Sequence, residues 1–255
     1  MARKKKRSPI KSYFKIFFWL CIAFSATYFA VNIFVIKPHI FYPGFEIPIP
    51  RGYEIHGIDV SRYQETINWE EVKEMEVKDI KIGFAFIKAT EGRFLVDPKY
   101  RYNWLHAGKN NVPKGAYHFF IPGKEPKKQA RNFIGIVNLN SGDLPPVLDV
   151  EISRNISVKQ MQEEVKIWLD MVEEHYEVKP IIYTNISFYE KYFAGKFDEY
   201  PLWIAHYLQP DKPRTKQDWA FWQHSETGRV NGIKSMVDFN VFSGDSTDFK
   251  KLLVP

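Results

Sequence analysis

Across 255 residues the chain has a single cysteine, Cys21. The remainder therefore has no disulfide, no thiol nucleophile and no cysteine-held metal, and must be stabilised by burying a core. Acidic residues are absent before Phe41, where eight basic ones stand (Arg3, Lys4, Lys5, Lys6, Arg7, Lys11, Lys15 and Lys37). Those eight explain the net charge of +6, because 28 basic residues face 30 acidic ones in the rest, a balance of −2. That balance excludes a bulk basic surface for nucleic acid. No glycine-rich phosphate loop follows any strand-like run, which argues against a nucleotide-binding doubly wound sheet. No Gly-x-Ser-x-Gly elbow offers an acyl-transfer nucleophile. His118, His206 and His224 lie on three separate strand-like segments without tight ligand spacing, so neither a metal nor a cofactor is expected.

Charge is also missing from 16–36, where only Ser25, Thr27 and Asn32 are clearly polar. At about 1.5 Å per residue such a helix spans roughly 30 Å, the depth of a bilayer core. The division expected is a basic cytoplasmic tail (1–15), a transmembrane signal anchor (16–36), a proline-rich spacer (37–53) and a barrel domain (54–255). Positive charge before the anchor predicts a membrane-held body in the periplasm or outside the cell, or a secreted one if the anchor is cleaved. A monomer is expected.

What the chain does have is Pro145-Pro146-Val147-Leu148-Asp149-Val150-Glu151. A strand alternates its faces, so Asp149 and Glu151 point the same way, roughly 6.5–7 Å apart. Paired carboxylates raise one another's pKa, and a carboxyl held protonated near neutrality is what a general acid needs. Around this stretch strands and helices alternate. Strands are predicted at 55–60, 82–88, 115–120 and 180–184, then at 202–207, 219–224 and 236–241 with the helices fading. Asn68, Asp97 and Ser157 read as helix caps, and Met161, Val165, Trp168 and Val172 follow at helical spacing. Near-continuous apolar strands between helices mean a covered parallel sheet, and eight of them close into an α/β, TIM-like barrel, a mixed open sheet being the alternative.

Function in such a barrel sits at the C-terminal ends of the strands. The candidates there are Asp59, Lys88 with Glu91, Tyr117 with His118, Asp149 with Glu151, Tyr183, Trp203 with Tyr207, Trp222 with Gln223, and Asp238. Four acids and several flat rings at one mouth describe a sugar cleft. Tyr183 and Trp203 also suit plain core, Asp59 or Asp238 a loop acceptor, and Lys88 a simple ion pair.

Gly57-Ile58-Asp59-Val60-Ser61, Leu148-Asp149-Val150-Glu151, Trp203-Ile204-Ala205-His206-Tyr207, Phe221-Trp222-Gln223-His224 and Val237-Asp238-Phe239-Asn240 occur in order. Together they resemble the glycoside hydrolase family 25 lysozymes, the Chalaropsis-type muramidases. The resemblance implies a (β/α)5(β)3 barrel that cleaves the β-1,4 bond between N-acetylmuramic acid and N-acetylglucosamine in peptidoglycan. It implies Glu151 as general acid, with Asp59, Asp149 and Asp238 in supporting or charge-stabilising roles. Asp149 would either attack covalently or orient the substrate's 2-acetamido group. A membrane-tethered glycan-binding module without turnover and a chitinase-like hydrolase remain as alternatives.

Overall fold

The computed structural model describes residues 9–30 and 39–255. Eight strands close a barrel: β1 (His56–Val60), β2 (Ile80–Glu91), β3 (Lys114–Phe119), β4 (Val147–Asp149), β5 (Ile181–Asn185), β6 (Leu202–Ala205), β7 (Phe221–Gly228) and β8 (Val237–Phe242). From β1 through β7 each strand runs parallel to the next. β8 is the departure from the parallel sheet expected, lying antiparallel between β7 and β1. A parallel return needs a crossover of a dozen residues or more, and the short turn leaving β7 cannot supply one.

Helices Trp69–Glu74, Tyr100–Lys109, Pro126–Ile134 and Val158–Tyr176 join the first five strands. Asn68 caps the first of these through the backbone N–H groups of Glu70 and Glu71. Ser157 caps the last, which buries Met161, Val165, Trp168 and Val172. Asp97 is not the cap that its sequence suggests. It sits a turn upstream, accepting hydrogen bonds from the backbone N–H groups of Lys99 and Arg62.

The barrel interior is aromatic. Phe86 stacks on Trp203 at 4.3 Å, Phe84 and Phe221 meet edge to face at 5.0 Å, and Phe249 of the C-terminal helix closes the far end against Phe84 and Phe242. Gly57 and Gly115 make room for these rings, since a Cβ there would come within 2.5 Å of Phe84 and 2.7 Å of Phe86. The bulk of the core lies outside this interior, between strands and helices.

Two expectations about the N-terminus are corrected. The transmembrane anchor is one: helix Pro9–Ala30 takes Lys11 and Lys15 into its first turns, and among the described residues no helix is long and apolar enough to cross a membrane. Within the described helix the uncharged stretch, 16–30, covers about 22 Å at about 1.5 Å per residue. Residues 1–8 and 31–38 lie outside the described residues. The membrane partner and the anchored localisation lose their support with it.

The spacer is the other. His39–Tyr42 and Ile47–Pro50 form an antiparallel hairpin. It buries Phe45, Ile47 and Ile49, and Phe45 lies 5.0 Å from Phe239 of β8 while His39 meets Trp222 of β7. The Phe45 carbonyl also accepts the backbone N–H of Arg229. The hairpin covers the outer faces of strands that have no helix, and its prolines suit an edge that needs no further partner. Three nearly inaccessible side chains at about 1.5–3 kcal/mol each make this burial a large share of the domain's stability. A chain of residues 39–255 should therefore unfold cooperatively. One of 51–255 should melt about 10 °C lower or more and bind a hydrophobic dye, as differential scanning calorimetry and dye fluorescence would read.

Candidate active site

At the C-terminal mouth of the barrel a groove of about 440 Å³ is lined by Asp59, Ser61, Arg62, Tyr63, Gln64, Lys88, Glu91, Tyr117, Phe119, Asp149, Glu151 and Asp238. A smaller recess of about 120 Å³ continues down to Tyr183, Trp203 and Gln223. Asp59 is the last residue but one of β1 and Asp149 ends β4, both in positions that strand alternation turns toward the barrel axis. Asp238 begins β8. Because β8 runs antiparallel, its start lies at the same rim, and Asp238 pairs in register with Asp59.

Asp59 is buried. It accepts hydrogen bonds from Gln223 Nε2 at 2.9 Å and Asn240 Nδ2 at 2.8 Å. Gln223 is fixed by the hydroxyls of Tyr183 and Tyr207, which both donate to its Oε1 at 2.9 and 2.6 Å. Asn240 is fixed by Trp203, whose indole N–H donates to its Oδ1 at 2.7 Å. Burial raises the pKa of Asp59, and the hydrogen bonds it accepts pull it back. Asp238 is pushed up to about 9 by burial, by the Asp59 charge and by its hydrogen bond to Asp59. One proton is thus shared, carried by Asp238 and donated to the Asp59 carboxylate.

Asp149 and Glu151 form the second pair. Burial, then the Glu151 charge, hold Asp149 well above the usual carboxylate range. Its Oδ1 is buried with no hydrogen-bond partner. Glu151 is exposed at the mouth, and its pKa is raised by partial burial of the carboxyl and by Asp59, with Lys88 opposing. Lys88 Nζ pairs with Glu91 Oε2 at 2.8 Å and sits 4.7 Å over the Phe119 ring.

Of the residues expected at the mouth, Asp59, Lys88, Tyr117, Asp149, Glu151 and Asp238 line the groove, and Tyr183, Trp203 and Gln223 form its floor. Tyr207 reaches the floor through Gln223. Trp222 does not join them: it is fully buried on the outer face of β7, its indole N–H donating to the His206 carbonyl. The alternation that turns Gln223 inward turns Trp222 outward. His118, His206 and His224 point away as well; His118 is pushed down to about 3 by burial and stacks on Trp168. Among the described residues no group of three His, Cys, Asp or Glu side chains could hold a metal. Sequence reasoning missed Arg62, Tyr63, Gln64 and Asn240. A Ser61-x-x-Gln64 capping box, formed in the structure by both its bonds, marked the first three. Asn240 stands two residues beyond Asp238, on the same strand face.

A groove at the strand ends of a closed barrel, with carboxylates around it and aromatic rings beneath, defines a glycoside hydrolase. The chain belongs to the glycosyl hydrolases family 25, which it matches over residues 58–233. It is 49% identical over 200 residues to YegX of Escherichia coli (strain K12), spanning 78% of this chain and 74% of that one. It is also similar to lysozyme M1 of Streptomyces globisporus, at 31% identity over 75% of this chain and 69% of the relative. Among solved structures, a family 25 glycosyl hydrolase from Bacillus anthracis superposes with a TM-score of 0.72 at 34% identity, covering 78% and 93% of the two chains.

The shared proton has a measurable consequence. A carboxyl raised by folding leaves the folded state with more protons than the unfolded state between roughly pH 4 and 9. Its contribution is complete below the unfolded pKa and is lost as pH rises through about 9. Asp238→Asn keeps a donor for Asp59 but cannot titrate. Denaturant titrations from pH 5 to 9 should show stability falling less steeply with pH in this variant than in the parent, and equal slopes would refute the shared proton.

Proposed function

We propose that Glu151 and Asp149 carry out the muramidase chemistry of this chain, hydrolysis of the β-1,4 bond between N-acetylmuramic acid and N-acetylglucosamine in peptidoglycan. The substrate lies in the cell wall, outside the cytoplasm. Family membership and the likeness to lysozymes support the reaction. The observation that carries the assignment of roles is the buried, unpartnered Asp149 Oδ1 beside a raised, accessible Glu151.

An unpaired buried acceptor is costly, and a substrate amide N–H relieves it. On this reading the 2-acetamido N–H of the sugar docks on Asp149. In the free protein burial favours a proton on Asp149; the incoming N–H stabilises its carboxylate and leaves Glu151 as the proton holder. Glu151 then gives that proton to the glycosidic oxygen as the C1–O bond breaks. The acetamido carbonyl oxygen, polarised by Asp149, closes on C1 to form an oxazolinium. Water, deprotonated by the Glu151 carboxylate, reopens it, and two displacements retain the configuration. Asp59, an anion under the sugar, stabilises the positive charge that develops, while Asp238, Gln223 and Asn240 hold it in position. Tyr117 and Phe119, half-buried in the groove wall, offer faces to the sugar ring.

Glu151→Gln removes the proton donor with little change of shape, so turnover on purified peptidoglycan should fall about 10²–10⁴-fold while the fold persists by circular dichroism. An activated aryl glycoside, whose leaving group needs no proton, should restore part of the rate to Glu151→Gln but not to Asp149→Asn. Near-normal cleavage by Glu151→Gln would move the acid elsewhere. Product release from peptidoglycan but not from chitin separates this reading from a chitinase-like one, and release from neither leaves a binding module.

A further inference from the structure

Two cations line the groove, Lys88 and Arg62. Lys88 is neutralised by Glu91 at 2.8 Å. Arg62 forms no ion pair with any described residue; its exposed guanidinium is hydrogen-bonded to the Tyr63 side chain and lies 5.3 Å from the centre of that ring. Its backbone is not loose. The Arg62 N–H donates to Asp97 Oδ2 at 3.0 Å, and the Ser61–Gln64 capping box fixes the turn, with Gln64 Nε2 donating to the Met236 carbonyl. Tyr63 is 70% exposed, with its carbonyl accepting from Ser235 Oγ. A rigid turn therefore presents one guanidinium without an acidic partner, seated against one exposed aromatic ring, at the lip of an otherwise acidic groove. Neither serves packing. An acidic groove repels an anionic polymer, so one free cation marks where an anion of the substrate can be accepted.

We propose that Arg62, seated against Tyr63, is a specificity residue that binds a carboxylate borne by the muramic acid residue, either on its peptide or on its bare lactyl group. The proposal rests on the muramidase reading above. Both sources offer the same planar carboxylate, which guanidinium matches in bidentate fashion. The neighbouring Tyr63 ring supports the sugar that carries it.

The test compares the parent with Arg62→Gln and Arg62→Lys on three substrates. These are peptide-bearing peptidoglycan, strands stripped by an amidase so that lactyl carboxylates are free, and stripped strands whose lactyl carboxylates have been converted to amides. Arg62→Gln should raise KM about five- to tenfold on a carboxylate-bearing substrate with kcat nearly unchanged, as expected for a lost charge-assisted contact at a wet site. Arg62→Lys should recover part of it, the parent's KM should rise with added salt more than the variant's, and the gap should close on the amidated strands. A gap on peptide-bearing material alone assigns the peptide carboxylate, a gap on stripped strands alone assigns the lactyl group, and a gap on both shows that the site accepts either carboxylate. Equal losses on all three substrates, or none on any, overturn the proposal. A parent that cleaves none of them overturns instead the muramidase reading.

Discussion

A carboxylate survives on the floor of an aromatic barrel only if donors surround it, and Asp59 meets that constraint with three: Gln223, Asn240 and the protonated Asp238. Each donor is held by a further residue. Tyr183 and Tyr207 orient the amide of Gln223, Trp203 orients that of Asn240, and the antiparallel register of β8 sets Asp238 opposite Asp59. Rings that look like plain core thereby do two jobs, filling the barrel with their faces and directing its polar network with their edges. The second carboxyl pair works on different terms. Asp149 has no such partner for its Oδ1, so the first acid is satisfied within the protein and the second is not.

Much of this was legible in the sequence, for reasons that are local. Asp149-x-Glu151 at the end of an apolar run, the caps at Asn68 and Ser157, and the stripe Met161, Val165, Trp168, Val172 depend only on strand and helix periodicity. The order of the motifs carried the barrel. What was not legible depends on direction and on partners far away in the chain. Asp238 was assigned to the right rim although nothing in its own strand says that β8 is reversed. Trp222 was assigned to the cleft because the aromatic content of the segment was read without its alternation.

The N-terminal segment shows the same limit twice. Ile16 to Ile36 is uncharged, but the helix that forms starts at Pro9 and brings two lysines with it. Prolines at 43, 48 and 50 suggested an extended tether, whereas they frame a hairpin whose isoleucines alternate with them, Ile47 and Ile49 turned inward and Pro48 outward. Helices cover the first strands of the barrel, and this hairpin takes over that role where they end.

The pairing of β8 with β1 has a consequence for how the chain reaches its working form. Asn240 and Asp59 are joined by a hydrogen bond across 181 residues of chain, and a loop of that length carries a large entropic cost of closure in assembling the barrel. During synthesis the first acid emerges long before the last strand exists. Until that strand inserts, Asp59 has neither Asp238 nor Asn240 beside it, and the groove has no far wall. A nascent or truncated chain is thus without a finished cleft, so hydrolytic power over the wall arises in one stroke, with the final ring of hydrogen bonds, at the end of folding.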